Sequence, residues 1–252
     1  MGFYDLSKSE RTQLVDTIYK EIFEAVSNYQ LNGIRTYFSD EDTYIRKTAY
    51  LSIGKLYKTT EKKQAEILKI LDTLLKSDSP KVRQTTINAA GEIGMLNFEI
   101  VRYFFDIGLF DNHHSVRNAV IGSLKKMGAK NPIPILKWAK EYLEHPDKEI
   151  RREICHGIEL RGRTHPQDVL PLLEKLQHDE TSRVRNTLIH VLGQIAYKKG
   201  CLETVVGTLK SWDNTELVKL ALDEIVDVHH RYKNFAFLSQ QQTITYINEN
   251  FN

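Results

Sequence analysis

"HPDKEIRREICHGIELRG" runs from His145 to Gly162, and "DETSRVRNTLIHVLGQIA" runs from Asp179 to Ala196. Both place an acid in a short polar stretch, then an aliphatic residue followed by arginine, then an apolar pattern closing on a small residue. Aligned on that basic residue, the chain repeats the phrase six times: "YIRKTAYLSIG", "KVRQTTINAAGEIG", "SVRNAVIGSLKKMG", "EIRREICHGIELRG", "RVRNTLIHVLGQIA" and "LVKLALDEIVDVHH". The anchors are Arg46, Arg83, Arg117, Arg151, Arg185 and Lys219, spaced 37 residues once and then 34 residues four times. A register kept through five intervals is the mark of a repeat architecture.

Each copy follows the same internal order. Asp40, Asp78, Asp111, Asp179 and Asp213 lie five or six residues before their anchors, and Asp147 lies four before Arg151. After the anchor, apolar residues recur three, four, seven and ten positions on, as in Val120, Ile121, Leu124 and Met127 or Leu188, Ile189, Leu192 and Ile195. That spacing puts them on one helical face. Gly94, Gly128, Gly162 or Ala196 follows where a helix ends or packs closely. Between copies lies a second amphipathic run, such as "AEILKILDTLLK" or "VLPLLEKLQHD", with Pro132, Pro134 and Pro171 expected at helix starts. No stretch alternates as a strand does.

Each unit therefore reads as two antiparallel helices, A then B, and neither buries its apolar face alone. Stacking satisfies them, giving an all-α, right-handed α-solenoid of about six two-helix repeats within a single domain spanning residues 1–252. Residues 7–38 are expected to form N-terminal capping helices, 39–232 the repeats, and 233–252 a C-terminal capping helix. "SKSE" at Ser7–Glu10 is a capping box, and Ser239 is the expected N-cap of the last helix. The pattern resembles the HEAT-repeat family, whose B helix opens with an acid-containing loop followed by Val-Arg. That resemblance implies the solenoid, while the same scaffold serves many tasks.

Composition narrows the task. Apolar residues at 41% and charged residues at 27% are ordinary for a globular chain, and a net charge of +2 demands no polyanion. Two cysteines, Cys155 and Cys201, make no framework and no C-x-x-C pair, which points to a reducing, cytoplasmic setting. The opening "MGFYDLSKSERTQ" lacks the apolar core of a signal peptide, no apolar run is long enough to span a bilayer, and a monomer is expected.

The anchors Arg46, Arg83, Arg117, Arg151 and Arg185 read as a structural ladder, each pairing with a loop acid of its own or a neighbouring repeat. Binding is expected instead on the concave B-helix face, at positions one, five, eight, nine and twelve after each anchor. In the first five repeats these hold seven lysines or arginines against two glutamates. The candidates are Lys47, Lys55, Lys125, Lys126, Arg152, His156, Arg163, His190, Gln194 and Tyr197. An acidic protein or peptide segment is the expected partner, with nucleic-acid backbone as the alternative. No cofactor is expected.

Two enzymatic resemblances bear on this reading. Deoxyhypusine hydroxylase, built from the same repeats, carries His-Glu dipeptides on its B helices; this chain has none, and His156 and His190, one repeat apart, are expected to lie too far apart to share a metal. Residues 141–212 also resemble the HEAT-like alkylpurine DNA glycosylases: Arg151, Arg152, Gly157, Arg161, Leu170–Asp179, Val184 and Arg185 match that pattern. The departures fall on the chemistry. His156 stands at the family's acid, His190 at its Asn and Gln194 at its Asp, and the Pro-Trp has no counterpart. Tyr197 and Trp212 remain as aromatic residues that could flank an exposed nucleotide. A neutral amide cannot stabilise a developing oxocarbenium charge as a carboxylate does. The resemblance thus implies, as the alternative function, a DNA-binding relative without the catalytic acid. The leading expectation is a non-enzymatic binding scaffold.

Overall fold

The computed structural model describes residues 2–251 and is all-α, with no strand among them. In chain order the helices are α1 (Lys8–Ser27), α2 (Leu31–Phe38), α3 (Thr43–Thr59), α4 (Gln64–Leu75), α5 (Pro80–Gly94), α6 (Phe98–Gly108), α7 (His114–Lys130) and α8 (Pro132–Tyr142). They continue with α9 (Lys148–Gly157), α10 (Glu159–Gly162), α11 (Pro166–Leu173), α12 (Ser182–Ala196), α13 (Leu202–Leu209), α14 (Thr215–Arg231) and α15 (Gln240–Asn250). No helix among the described residues is long and apolar enough to cross a membrane.

The chain divides into two compact units, Met1–Ser123 and Leu124–Asn252. In the first, α3 packs on α1 and α5, while α5 is backed by α4 and α6. The capping box at the start of α1 closes as written, with Glu10 N–H donating to Ser7 Oγ and Ser7 N–H donating to the Glu10 carboxylate. In the second unit, α9 packs on α12 and α12 on α14, with α11 and α13 side by side behind them. The same three-, four- and seven-residue stripe makes the core in each. Ile87, Ala90 and Ile93 of the first unit have no exposed surface, and neither do Leu188, Leu192 and Ile195 of the second.

The anchors hold the loops. Arg83 donates to the carbonyls of Ser77 (2.8 Å) and Asp78 (3.1 Å), and forks onto the Asp111 carboxylate at 2.7 and 2.9 Å. Arg151 repeats this on His145 and Pro146 carbonyls (2.7 and 2.9 Å) and on Asp179 at 2.6 and 3.0 Å. In each case the carboxylate belongs to the next repeat, so one guanidinium fastens its own loop and the following one. The bidentate fork is the strong form of this contact. Arg46, Arg117 and Arg185 reach the carbonyl six residues back, at Asp40, Asp111 and Asp179.

Two expectations about helix ends change. Pro171 lies inside α11, which opens earlier, on Pro166 at its first position. Pro171 is exposed, and the backbone passes into a 3-10 turn at Glu174–Leu176. The fourth B helix does not run unbroken to Gly162: it stops at Gly157 and restarts at Glu159 as α10. That break positions the site.

Candidate functional site

α9 opens on Asp147, whose side chain accepts from Glu149 N–H at 2.8 Å. One turn later the apolar stripe turns Ile150, Ile154 and Cys155 inward and leaves Arg152 and His156 half-buried on the other side. The break at Ile158 then carries Glu159 inward, where it is only 1% exposed. A buried carboxylate needs partners, and three cationic or ionisable groups supply them. Lys125 Nζ donates to Glu159 Oε2 at 3.0 Å, Arg163 donates to Oε1, and His156 Nε2 lies 3.1 Å from Oε2. Burial opposes the negative charge, but His156, Lys125 and Arg163 outweigh it and hold the Glu159 carboxyl down at about 2.

The cluster extends to the next repeat. Lys125 Nζ is 2.9 Å from His156 Nε2, so that nitrogen accepts from the ammonium in the Nδ1–H tautomer and donates to Glu159 when it carries the proton itself. The His156 and His190 rings meet edge to face with centroids 6.1 Å apart. His190 Nδ1 stands 3.4 Å from Glu224, which also accepts from Arg231. Arg163 donates to Gln194 Oε1 (2.8 Å) and to the Tyr197 hydroxyl (3.1 Å). Above the histidines lies a cleft of about 470 Å³ lined by Arg152, His156, Ser182, Arg183, Asn186, Thr187 and His190. On its rim Glu149 bridges two arginines, accepting from Arg152 Nε at 3.0 Å and pairing with Arg183 Nε at 3.2 Å.

The ten candidate positions fare differently. Arg152, His156 and His190 line the cleft. Lys125 and Arg163 turn onto Glu159, so their charge is compensated within the fold instead of facing a groove. Gln194 and Tyr197, expected on the open face, are buried at 3% and 5% exposure. Gln194 accepts from Arg163, and Tyr197 stacks on Tyr232 with ring planes 15° apart. Trp212, the other candidate aromatic, is buried as well. These corrections share a cause: Lys125, Arg163, Gln194 and Tyr197 each meet a side chain of a neighbouring repeat and become inter-repeat contacts. The distance expected between His156 and His190 is also overturned, because stacked repeats set equivalent positions side by side. In the first unit Lys47 is exposed and Lys55 lies over the Tyr19 ring at 4.3 Å; Lys126 is exposed.

Sequence reasoning passed over Glu149, Arg183 and Glu224, whereas Asn186 is one of the concave positions it chose. Arg183 sits two residues before an anchor, outside the helical positions chosen. Glu149 and Arg183 are 34 residues apart, so the repeat period itself carried the signal that could have paired them.

Comparison with known proteins agrees with this architecture. Residues 135–222 match the family model described as HEAT repeats. This stretch is similar to HEAT-repeat sequence. Residues 11–108 match a second model, non-SMC mitotic condensation complex subunit 1. A search of curated proteins gave no match. Among solved structures the chain is similar to AlkD2 from Streptococcus mutans, at 19% identity and a TM-score of 0.58, covering 78% of this chain and 97% of that one. It is similar to smu.31 from Streptococcus mutans UA159, at 18% identity and a TM-score of 0.54, covering 81% and 97%. The MAST/Orbit N-terminal domain gives 16% and 0.53, covering 78% and 96%. At these identities the likeness is one of fold: a helical-repeat array.

Proposed function

We propose that this HEAT-repeat chain is a non-enzymatic scaffold that grips an acidic segment of a partner protein in the cleft between α9 and α12. The observation that supports it most is Glu149. A carboxylate of the chain itself already bridges Arg152 and Arg183 at 3.0 and 3.2 Å, which supports a partner's Asp or Glu being held by the same two guanidinium groups. His156, His190 and Asn186 offer further polar groups along the cleft. The glycosylase alternative has weaker support. Gln194 stands where that family has its Asp, it is buried against Arg163, and Glu159 is committed to Lys125 and Arg163. What survives of that reading is an electrostatic contact with nucleic-acid backbone through the same cations.

Fluorescence anisotropy with a labelled Asp/Glu-rich peptide and, separately, a generic DNA duplex tests the choice. Saturable peptide binding that falls at least tenfold in Arg152→Ala/Arg183→Ala is the expected result. Peptide binding equal in the wild type and the double variant overturns the assignment to this cleft. Binding of duplex in preference to peptide, with log K falling linearly with log salt, moves the function to nucleic acid.

A further inference from the structure

At the base of the cleft, two of the histidines that line it and one buried carboxylate converge on one point. His156 comes from the end of α9, Glu159 from the start of α10 and His190 from α12. One ligating atom from each lies within 4.8 Å of the other two. Two imidazoles and a carboxylate are the donor set of three-ligand zinc centres, which keep a further position open. Bonds of about 2.0–2.2 Å in tetrahedral geometry put neighbouring donor atoms about 3.4 Å apart. His156 Nε2 and Glu159 Oε2, at 3.1 Å, already meet that spacing. His190, whose side chain is 43% exposed, has room to close the remaining distance.

Two further features fit a cation. Metal-bound histidines characteristically lean on a carboxylate, and Glu224 stands 3.4 Å from His190 Nδ1. A cation also already marks the spot: Lys125 Nζ lies 2.9 Å from His156 Nε2 and 3.0 Å from Glu159 Oε2, where the lone pairs of both donors meet. We propose that His156, Glu159 and His190 form a binding site for a divalent metal of the zinc class, for which the Lys125 ammonium is the built-in competitor. On binding, Lys125, itself partly exposed, swings out, Arg163 keeps Glu159 Oε1, and the open coordination position faces the cleft. A borderline-soft ion is favoured over magnesium or calcium, because two of three donors are imidazole nitrogens.

Cobalt(II), titrated into the full, tag-free chain and followed by its visible ligand-field absorption, is the probe, with zinc as competitor. One saturating equivalent displaced by zinc is expected. Lys125→Ala should bind cobalt at least tenfold more tightly, since the competing charge is gone. His190→Ala should bind at least tenfold more weakly with an unchanged far-ultraviolet circular dichroism spectrum. The exposure of His190 makes this variant safe to fold, so the test stands even where changes at Glu159 unfold the chain. No saturable cobalt signal in either wild type or Lys125→Ala overturns the site. Equal binding by wild type and His190→Ala also overturns it, because the ion then sits on other residues.

Discussion

Replacing Glu159 by Gln isolates what the buried carboxylate contributes. The side chain is almost wholly enclosed, and its charge is matched by Lys125 at 3.0 Å and by Arg163 on the other oxygen. The carboxyl falls from an ordinary 4.5 to about 2 in the fold, despite burial, through His156, Lys125 and Arg163. At roughly 1.4 kcal/mol per pKa unit, that drop corresponds to about 3 kcal/mol of stability at neutral pH. Because the folded value lies below the unfolded one, the contribution is complete above about 4.5 and drains away as pH falls through about 2. The amide keeps the shape and leaves two cations facing each other without an anion, the costly way to break a buried pair. Urea unfolding followed by circular dichroism should therefore show Glu159→Gln less stable than wild type by about 3 kcal/mol near pH 7. The gap should narrow steadily as the pH is lowered from about 4.5 toward about 2. A gap below about 1 kcal/mol near pH 7, or one that stays constant down the pH series, would refute the electrostatic account.

The ladder should be uneven. Arg151→Ala strands Asp179 and frees two carbonyls, costing about 3 kcal/mol, whereas Arg185→Ala loses a contact to the Asp179 carbonyl and should cost about 1 kcal/mol by the same unfolding assay. Glycines separate in the same way. A methyl on Gly162 would sit 2.5 Å from Ile195 Cδ1 and 2.8 Å from Val169 Cγ2, so Gly162→Ala should destabilise by about 1–3 kcal/mol. Gly122 faces nothing within 4 Å on the exposed side of α7, so Gly122→Ala should stabilise by about 0.5–1 kcal/mol. Incubation with methylated duplex DNA should release no free purine. Release that disappears in Glu159→Gln would show that this carboxylate, not the position of Gln194, carries a glycosylase activity.

The sequence by itself determined the helices, their order and their inward faces. These follow from short-range facts: a 3.6-residue apolar stripe, an acid-containing loop, a proline at a first turn, and a period of 34 residues kept through four intervals. It also set which residues occupy equivalent places in successive repeats, and so held the pairing of Glu149 with Arg183 and of His156 with His190 in latent form. Tertiary structure decided whether such pairs touch. That depends on how far one B helix is rotated and shifted against the next, a quantity no local pattern encodes. The break at Ile158 turns Glu159 inward, where Lys125 and Arg163 must follow it, since a carboxylate taken from water is tolerable only when matched. Two cations that periodicity assigned to an open groove thereby became internal counter-ions. Gln194 and Tyr197 were covered because the end of α12 closes on the elements that follow and precede it. His156 and His190, both among the concave-face candidates, were left half-open at the base of a cleft, and only the stacking of the repeats brought their rings together.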